Sequence, residues 1–195
     1  MPPAIVKSVK DLIFWQYAKI IAASAGIGKR DYGFVMTKFK QLREGEIFWN
    51  EIREYVKEKE HPDECIFCGT TTDLTLEHLL PRSHNGPDVE KNLVWICKSC
   101  NSSKGSRRLY EYFAIKAGVE AAKYDVPRIA EGKYLKFAFE TFKDKNMLEI
   151  GASGLSAAIC PRCDMKSLCA RQGTVGELSP FCIDGMFFNE NNDSA

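Results

Sequence analysis

The stretch on which the fold turns runs Cys65-Ile66-Phe67-Cys68, then Leu76-Glu77-His78-Leu79-Leu80-Pro81-Arg82-Ser83, then Asn92-Leu93-Val94, and closes on Cys97-Lys98-Ser99-Cys100-Asn101-Ser102-Ser103-Lys104-Gly105. Each Cys-x-x-Cys pair can present two thiolates at one edge of a tetrahedron, so Cys65, Cys68, Cys97 and Cys100 form the donor set that structural zinc prefers. The 28 residues between Cys68 and Cys97 are more than a minimal zinc ribbon needs. A metal there would close a loop that carries something else. Within the loop Thr75 and Leu76 read as strand, Asn85-Gly86 as a turn and Leu93 to Ile96 as a returning strand, with a helix expected to open after Asn101.

The enclosed residues are of the types that a one-metal phosphodiesterase uses. Such a reaction needs a base to deprotonate the attacking water, and oxygen donors for a hard divalent ion that stabilises charge on the phosphate and leaving group. His78 fits the base, because imidazole is the side chain suited to proton abstraction near neutral pH. Glu77 and Asn101 offer oxygens of the kind that Mg²⁺ or Mn²⁺ accepts. Asn92, at the start of the returning strand, is placed to fix the imidazole by a hydrogen bond, and Lys104 to neutralise phosphate. Arg82, Lys98, Lys104, Arg107 and Arg108 flank the site, where a phosphate backbone would lie. Each alone reads equally well as ordinary solvated surface; as a group they favour a polyanion. His84, in Ser83-His84-Asn85-Gly86, and His61, before Pro62, read as exposed loop residues.

In order and spacing the residues from Cys65 to Gly105 resemble the HNH endonuclease family. The resemblance implies a ββα-metal finger: a hairpin whose first strand ends at the catalytic histidine, and a helix that returns a metal ligand. It implies His78 as the base, Asn92 as the middle asparagine, Glu77 and Asn101 as ligands of a catalytic Mg²⁺ or Mn²⁺, and nucleic acid, DNA foremost, as the partner. Many members carry Asp before the histidine and His at the last position. Glu77 and Asn101 keep oxygen donors there but leave the metal preference open. A single such site cuts one strand per encounter, so duplex cleavage would call for a homodimer or two successive nicks. The rival reading is a zinc-dependent nucleic-acid-binding or adaptor module without hydrolysis, in which His78 is a hydrogen-bonded core histidine.

A second group follows: Cys160-Pro161-Arg162-Cys163, five residues, Cys169, then twelve residues to Cys182. A second structural zinc is the simplest reading. Cys-x-x-Cys-x₅-Cys with Leu168 before the third cysteine is also similar to the cluster segment of iron–sulfur DNA glycosylases and exonucleases, whose fourth cysteine lies upstream. A 4Fe–4S iron–sulfur cluster therefore stands beside zinc as an alternative. Either would staple a tail too poor in apolar residues to fold by itself. A redox-sensing regulator built on this group is a third, more distant reading.

The rest of the chain agrees with a folded protein. Of its 195 residues 45% are hydrophobic, and the formal net charge of +1 neither demands nor excludes a polyanionic partner. The most apolar stretch, Leu12 to Ala25, is interrupted by Lys19 and too short to span a bilayer. Pro2 and Pro3 stand where a secretory signal would have a basic segment, so the expected location is the cytoplasm, with no membrane association. In that reducing compartment two groups of four cysteines point to metal thiolates rather than disulfides.

Helices are expected from a Ser8 cap to a stop at Gly26, from about Asp31 to Arg43, from Ile47 to Lys59, from Leu109 to Ala122 and from Tyr134 to Phe142. Trp15, Trp49 and the nearby phenylalanines read as core rather than base-stacking residues. Gly151 to Gly154 reads as a linker and Asn189 to Ala195 as a frayed end. The expected class is α+β: mostly helical, with a central zinc-stabilised ββα-metal finger and a C-terminal four-cysteine metal-binding segment. The expected division is a helical segment over 1–46, a nuclease domain over 47–114, and a helical region over 115–195 with its metal site at 160–182.

Overall fold

The structure, a computed structural model, describes residues 2–49, 63–174 and 176–187. Its longest N-terminal helix, α1 (Val9–Ser24), starts where the Ser8 hydroxyl accepts the Asp11 amide and ends before Gly26, which takes φ 77. The sequence suggests one broad apolar side, yet burial runs around almost the whole of α1, Gln16 and Lys19 included. A helix enclosed on all sides belongs at the centre of a bundle. Helix α2 (Tyr32–Glu44) packs along it, capped by the Asp31 carboxylate at the Phe34 amide and closed by Gly45 at φ 75. The helix expected over Ile47 to Lys59 lies, from residue 50 on, outside the described residues, as do His61 and the end from 188. Trp49 packs edge-on against Tyr17, their ring centroids 4.4 Å apart, whereas Phe48 is exposed.

Strands β1 (Leu74–His78) and β2 (Leu93–Cys97) pair antiparallel, Glu77 opposite Val94 and His78 opposite Leu93. The turn from β2 into α3 (Lys98–Lys104) is tight: the helix opens at Lys98, before Asn101, because the Cys97 sulfur accepts the Cys100 amide at its first turn. The result is a small α+β unit inside a helical protein. Beyond it come α4 (Leu109–Ala117) and α5 (Val119–Tyr124), where a continuous helix was expected. Gly118 at φ 93 separates them.

Helix α6 (Arg128–Asp144) starts after Pro127, earlier than the aromatic run from Tyr134 suggests, and packs on α1. The expected linker at Gly151 is a packed corner instead. Ser8 and Gly151 form a bridge, and a Cβ at 151 would come within 2.9 Å of the Lys7 carbonyl. Ala152–Gly154 then runs through a π-helical turn, Leu155–Ile159, towards α7 (Lys166–Gln172) and α8 (Pro180–Gly185). Phe187, just past α8, stacks on Phe137 and packs at a tilt against Phe142 of α6, so the C-terminal segment shares one apolar core with the rest. Among the described residues no helix is long and apolar enough to cross a membrane.

Candidate active site

The four cysteines of the first group converge. The sulfurs of Cys65, Cys68, Cys97 and Cys100 all lie within 4.8 Å of one another, with Cys68 and Cys97 3.8 Å apart. A tetrahedral ion with Zn–S bonds of about 2.3 Å has edges of about 3.8 Å, so the group is compatible with structural zinc. Local backbone explains the convergence. The Gly69 amide folds back onto the Cys65 carbonyl at 2.7 Å, and the Ile66 amide bonds the Trp95 carbonyl, tying the first knuckle to β2. Burial works against the Cys65 thiolate, but backbone hydrogen bonds around the knuckle outweigh it and bring its pKa down to about 7.

Strand alternation sends His78 and Glu77 to opposite faces. The Nε2 of His78 lies 2.5 Å from a carboxylate oxygen of Asp88, and Arg82 grips the same carboxylate through Nε and Nη2 at 2.8 to 3.2 Å. The Arg82 and His78 hydrogen bonds hold the Asp88 pKa below the usual carboxylate range. Neither Asp88 nor its pairing is legible beforehand, because an aspartate after Gly86-Pro87 reads as an ordinary turn residue.

Asn92 is fully buried but does not reach the imidazole as expected. Its Oδ1 accepts the Leu80 amide at 2.8 Å, and its Nδ2 donates to the Leu80 and Pro87 carbonyls, each at 3.0 Å. It therefore stitches the two ends of the loop that carries Asp88, while its backbone carbonyl takes the Leu79 amide beside His78 at 2.8 Å. Gly86 completes the closure: a Cβ there would come within 1.8 Å of the Leu80 carbonyl oxygen.

On the other face Glu77 accepts a bond from the Lys104 ammonium at 3.1 Å. Lys104 and Asn101 are three residues apart on α3, which places both on the side that packs against β1. Two basic residues expected to meet phosphate are not at the surface. Lys104 is fully buried, and burial lowers its pKa against the opposing pull of Glu77. Arg108 is also fully buried, donating to the Asp184 carbonyl at 3.1 Å and to Asp164 at 2.7 Å, and paired with Glu111. Each is taken inside by a carboxylate partner from a distant segment, which local sequence does not reveal. Arg82 and Lys98 are exposed, and Arg107 is partly so, with its guanidinium on the Ser103 and Lys104 carbonyls. His84, expected in an exposed loop, is half-buried; burial first and the Arg108 charge second lower its pKa.

The cysteines of the second group sit in the turn between Cys160 and Cys163, on α7 and on α8, all four free and partly buried.

A cysteine-braced hairpin followed by a short helix, with a histidine at the end of the first strand, is the architecture of a metal finger. Residues 65–107 match the sequence model of the family described as HNH endonuclease, so the chain carries an HNH endonuclease domain in that segment. No curated protein and no solved structure matches the chain.

Proposed function

We propose that this protein is a metal-dependent endonuclease that hydrolyses phosphodiester bonds in DNA, using water deprotonated by His78. The observation that carries the reading is the His78–Asp88 pair at the end of β1. A carboxylate that accepts the Nε2 proton settles which ring nitrogen is protonated and leaves the Nδ1 lone pair to take a proton from water. Asn92 and Gly86 hold the loop that presents Asp88, so the pair is set before substrate arrives.

Glu77 and Asn101 are the residues that would hold the catalytic ion. Their carboxylate and amide oxygens suit a hard cation such as Mg²⁺ or Mn²⁺, and Lys104 orients the Glu77 carboxylate through one of its oxygens. When bound, the ion supplies Lewis-acid stabilisation of charge at the phosphate and leaving group. Arg82, Arg107 and Lys98 are the cations available to the phosphate backbone on either side.

The test is cleavage of supercoiled plasmid by wild type and His78→Ala, with Mg²⁺, with Mn²⁺ and with chelator. Nicked or linear product from metal-loaded wild type, reduced about 100-fold or more in the variant, is expected. Full metal-dependent cleavage by His78→Ala, in a preparation free of contaminating nucleases, would remove His78 as the base. Binding of nucleic acid that is unchanged in His78→Ala, with no product in any metal, would instead make the protein a binding module.

A further inference from the structure

A cavity of about 100 Å³ lies between α1, the start of α2, the end of α5 and the chain from α7 to α8. Among the described residues, none from the HNH segment lines it. We propose that this cavity binds a small phosphate-bearing ligand. Its walls present the cations Lys19, Lys29, Arg30 and Lys123 and no carboxylate, together with two side-chain amides that lack a hydrogen-bond partner at one end.

The four cations differ in what balances them. Lys29 donates to one Glu131 oxygen at 2.6 Å and to the Val126 carbonyl, and Lys123 is paired with Glu120 at 2.6 Å. The second Glu131 oxygen accepts the Tyr110 hydroxyl, so both oxygens are engaged without Lys19. Lys19 is only 6% exposed, and among the described residues its ammonium has no hydrogen bond or ion pair. It stands 4.8 Å from the centre of the Tyr124 ring, against which the Arg30 guanidinium also packs at 4.0 Å. A buried cation without an anion of its own is costly, and a doubly charged anion in the cavity removes that cost. Burial lowers the Lys19 pKa to about 8 against the pull of Glu131, so the ammonium is still charged near neutral pH.

The amides narrow the ligand. Gln172, at the end of α7, spends its Oε1 on the Thr174 hydroxyl at 3.0 Å and leaves its buried Nε2 without an acceptor. Gln16, 1% exposed on α1, has its Oε1 without a donor among the described residues. A phosphate group supplies charged oxygens to Lys19, Arg30 and the Gln172 Nε2. Gln16 then takes the O–H that hydrogenphosphate keeps near neutral pH, or a hydroxyl of the group to which the phosphate is esterified. Water alone would satisfy both amides but would leave the Lys19 charge unbalanced. The volume is well under the roughly 300 Å³ at which pockets for drug-sized ligands begin. It therefore holds the phosphate group itself, and anything esterified to it would extend outward past the exposed Tyr32 ring.

Calorimetric titration of the full-length protein with inorganic phosphate and with adenosine 5′-monophosphate tests this, in buffer free of Mg²⁺ and at constant ionic strength. Wild type should bind at a single site per chain, and the ligand should raise its Tm. Lys19→Met and Gln172→Leu should each weaken binding about 10-fold or more. Gln172→Leu, at a half-buried position, reads the site independently of any effect of Lys19 on folding. Equal affinity for the two probes assigns free phosphate as the ligand, and tighter binding of the nucleotide assigns a phosphomonoester. Absence of heat and of a Tm rise with either probe up to about 10 mM would overturn the site. Binding that both variants keep in full would overturn it as well. None of these readouts depends on whether His78 supports hydrolysis.

Discussion

Asp88 stands ten residues after His78 in an exposed loop, and only the closed loop makes the two partners. Replacing it with asparagine removes the acceptor that fixes the imidazole and leaves the loop's backbone bonds to Asn92 in place. Asp88→Asn should lower kcat for plasmid cleavage about 10- to 100-fold with little change in KM, the range typical of residues that orient a functional histidine. Asp88→Glu should recover part of the loss, since it restores a carboxylate. Steady-state rates for the three proteins decide it; an unchanged kcat in Asp88→Asn would reduce the pair to a surface contact. Asn92 differs in kind: three side-chain hydrogen bonds to backbone groups of Leu80 and Pro87 make it a residue of the loop's structure.

Helix α1 shows how an element can carry a cost at its own centre. Lys19 is buried on it, with its ammonium 4.8 Å from the Tyr124 ring centre, and burial lowers its pKa to about 8 although Glu131 pulls the other way. Below about pH 8 folded and unfolded chains both carry the proton, and the whole cost of burying the charge is present. Between there and the ordinary lysine value the unfolded chain keeps the proton while the folded chain releases it, so stability rises with pH. Lys19→Met should therefore be more stable than wild type near neutral pH by on the order of 2 kcal/mol. The gain should shrink towards about pH 10. Urea unfolding at both pH values measures it, and a variant less stable near neutrality would mean that the ammonium contributes a favourable contact outweighing its desolvation.

For the whole molecule the joint is Arg108. It follows the HNH segment directly and is satisfied by Glu111 at the start of α4, Asp164 beside the C-terminal cysteines and the backbone of Asp184 in α8. Asp184 is itself fully buried, accepting the Glu111 amide and the Tyr134 hydroxyl, each at 2.8 Å, so α4, α6 and α8 meet there. Removing one partner from such a network strands the other charges. Arg108→Met should cost about 3–5 kcal/mol in denaturant unfolding. Arg108→Lys should recover little of it, because an ammonium cannot reproduce the spread of the guanidinium donors. A loss of less than about 1 kcal/mol in Arg108→Met would show that the finger and the C-terminal segment are not joined through this residue.

The local chemistry of the finger was legible in the sequence alone. Two Cys-x-x-Cys knuckles, a strand ending at His78 and a return strand from Leu93 are each properties of neighbouring residues, and the zinc-compatible sulfur group follows from them. The same holds for the Ser8 and Asp31 caps and the stop at Gly45, where the decisive contacts lie within one turn. What only the tertiary structure decided depends on partners far apart in the chain. Lys104 went inward to Glu77 and Arg108 to Asp164 and Asp184, α1 became the centre of the bundle, and Gly151 became a packing point against Lys7. The physical reason is common to all of them: a charge or a glycine looks the same in sequence whether solvent or another segment meets it. The balance between desolvation and a distant counter-charge exists only once the chain has folded.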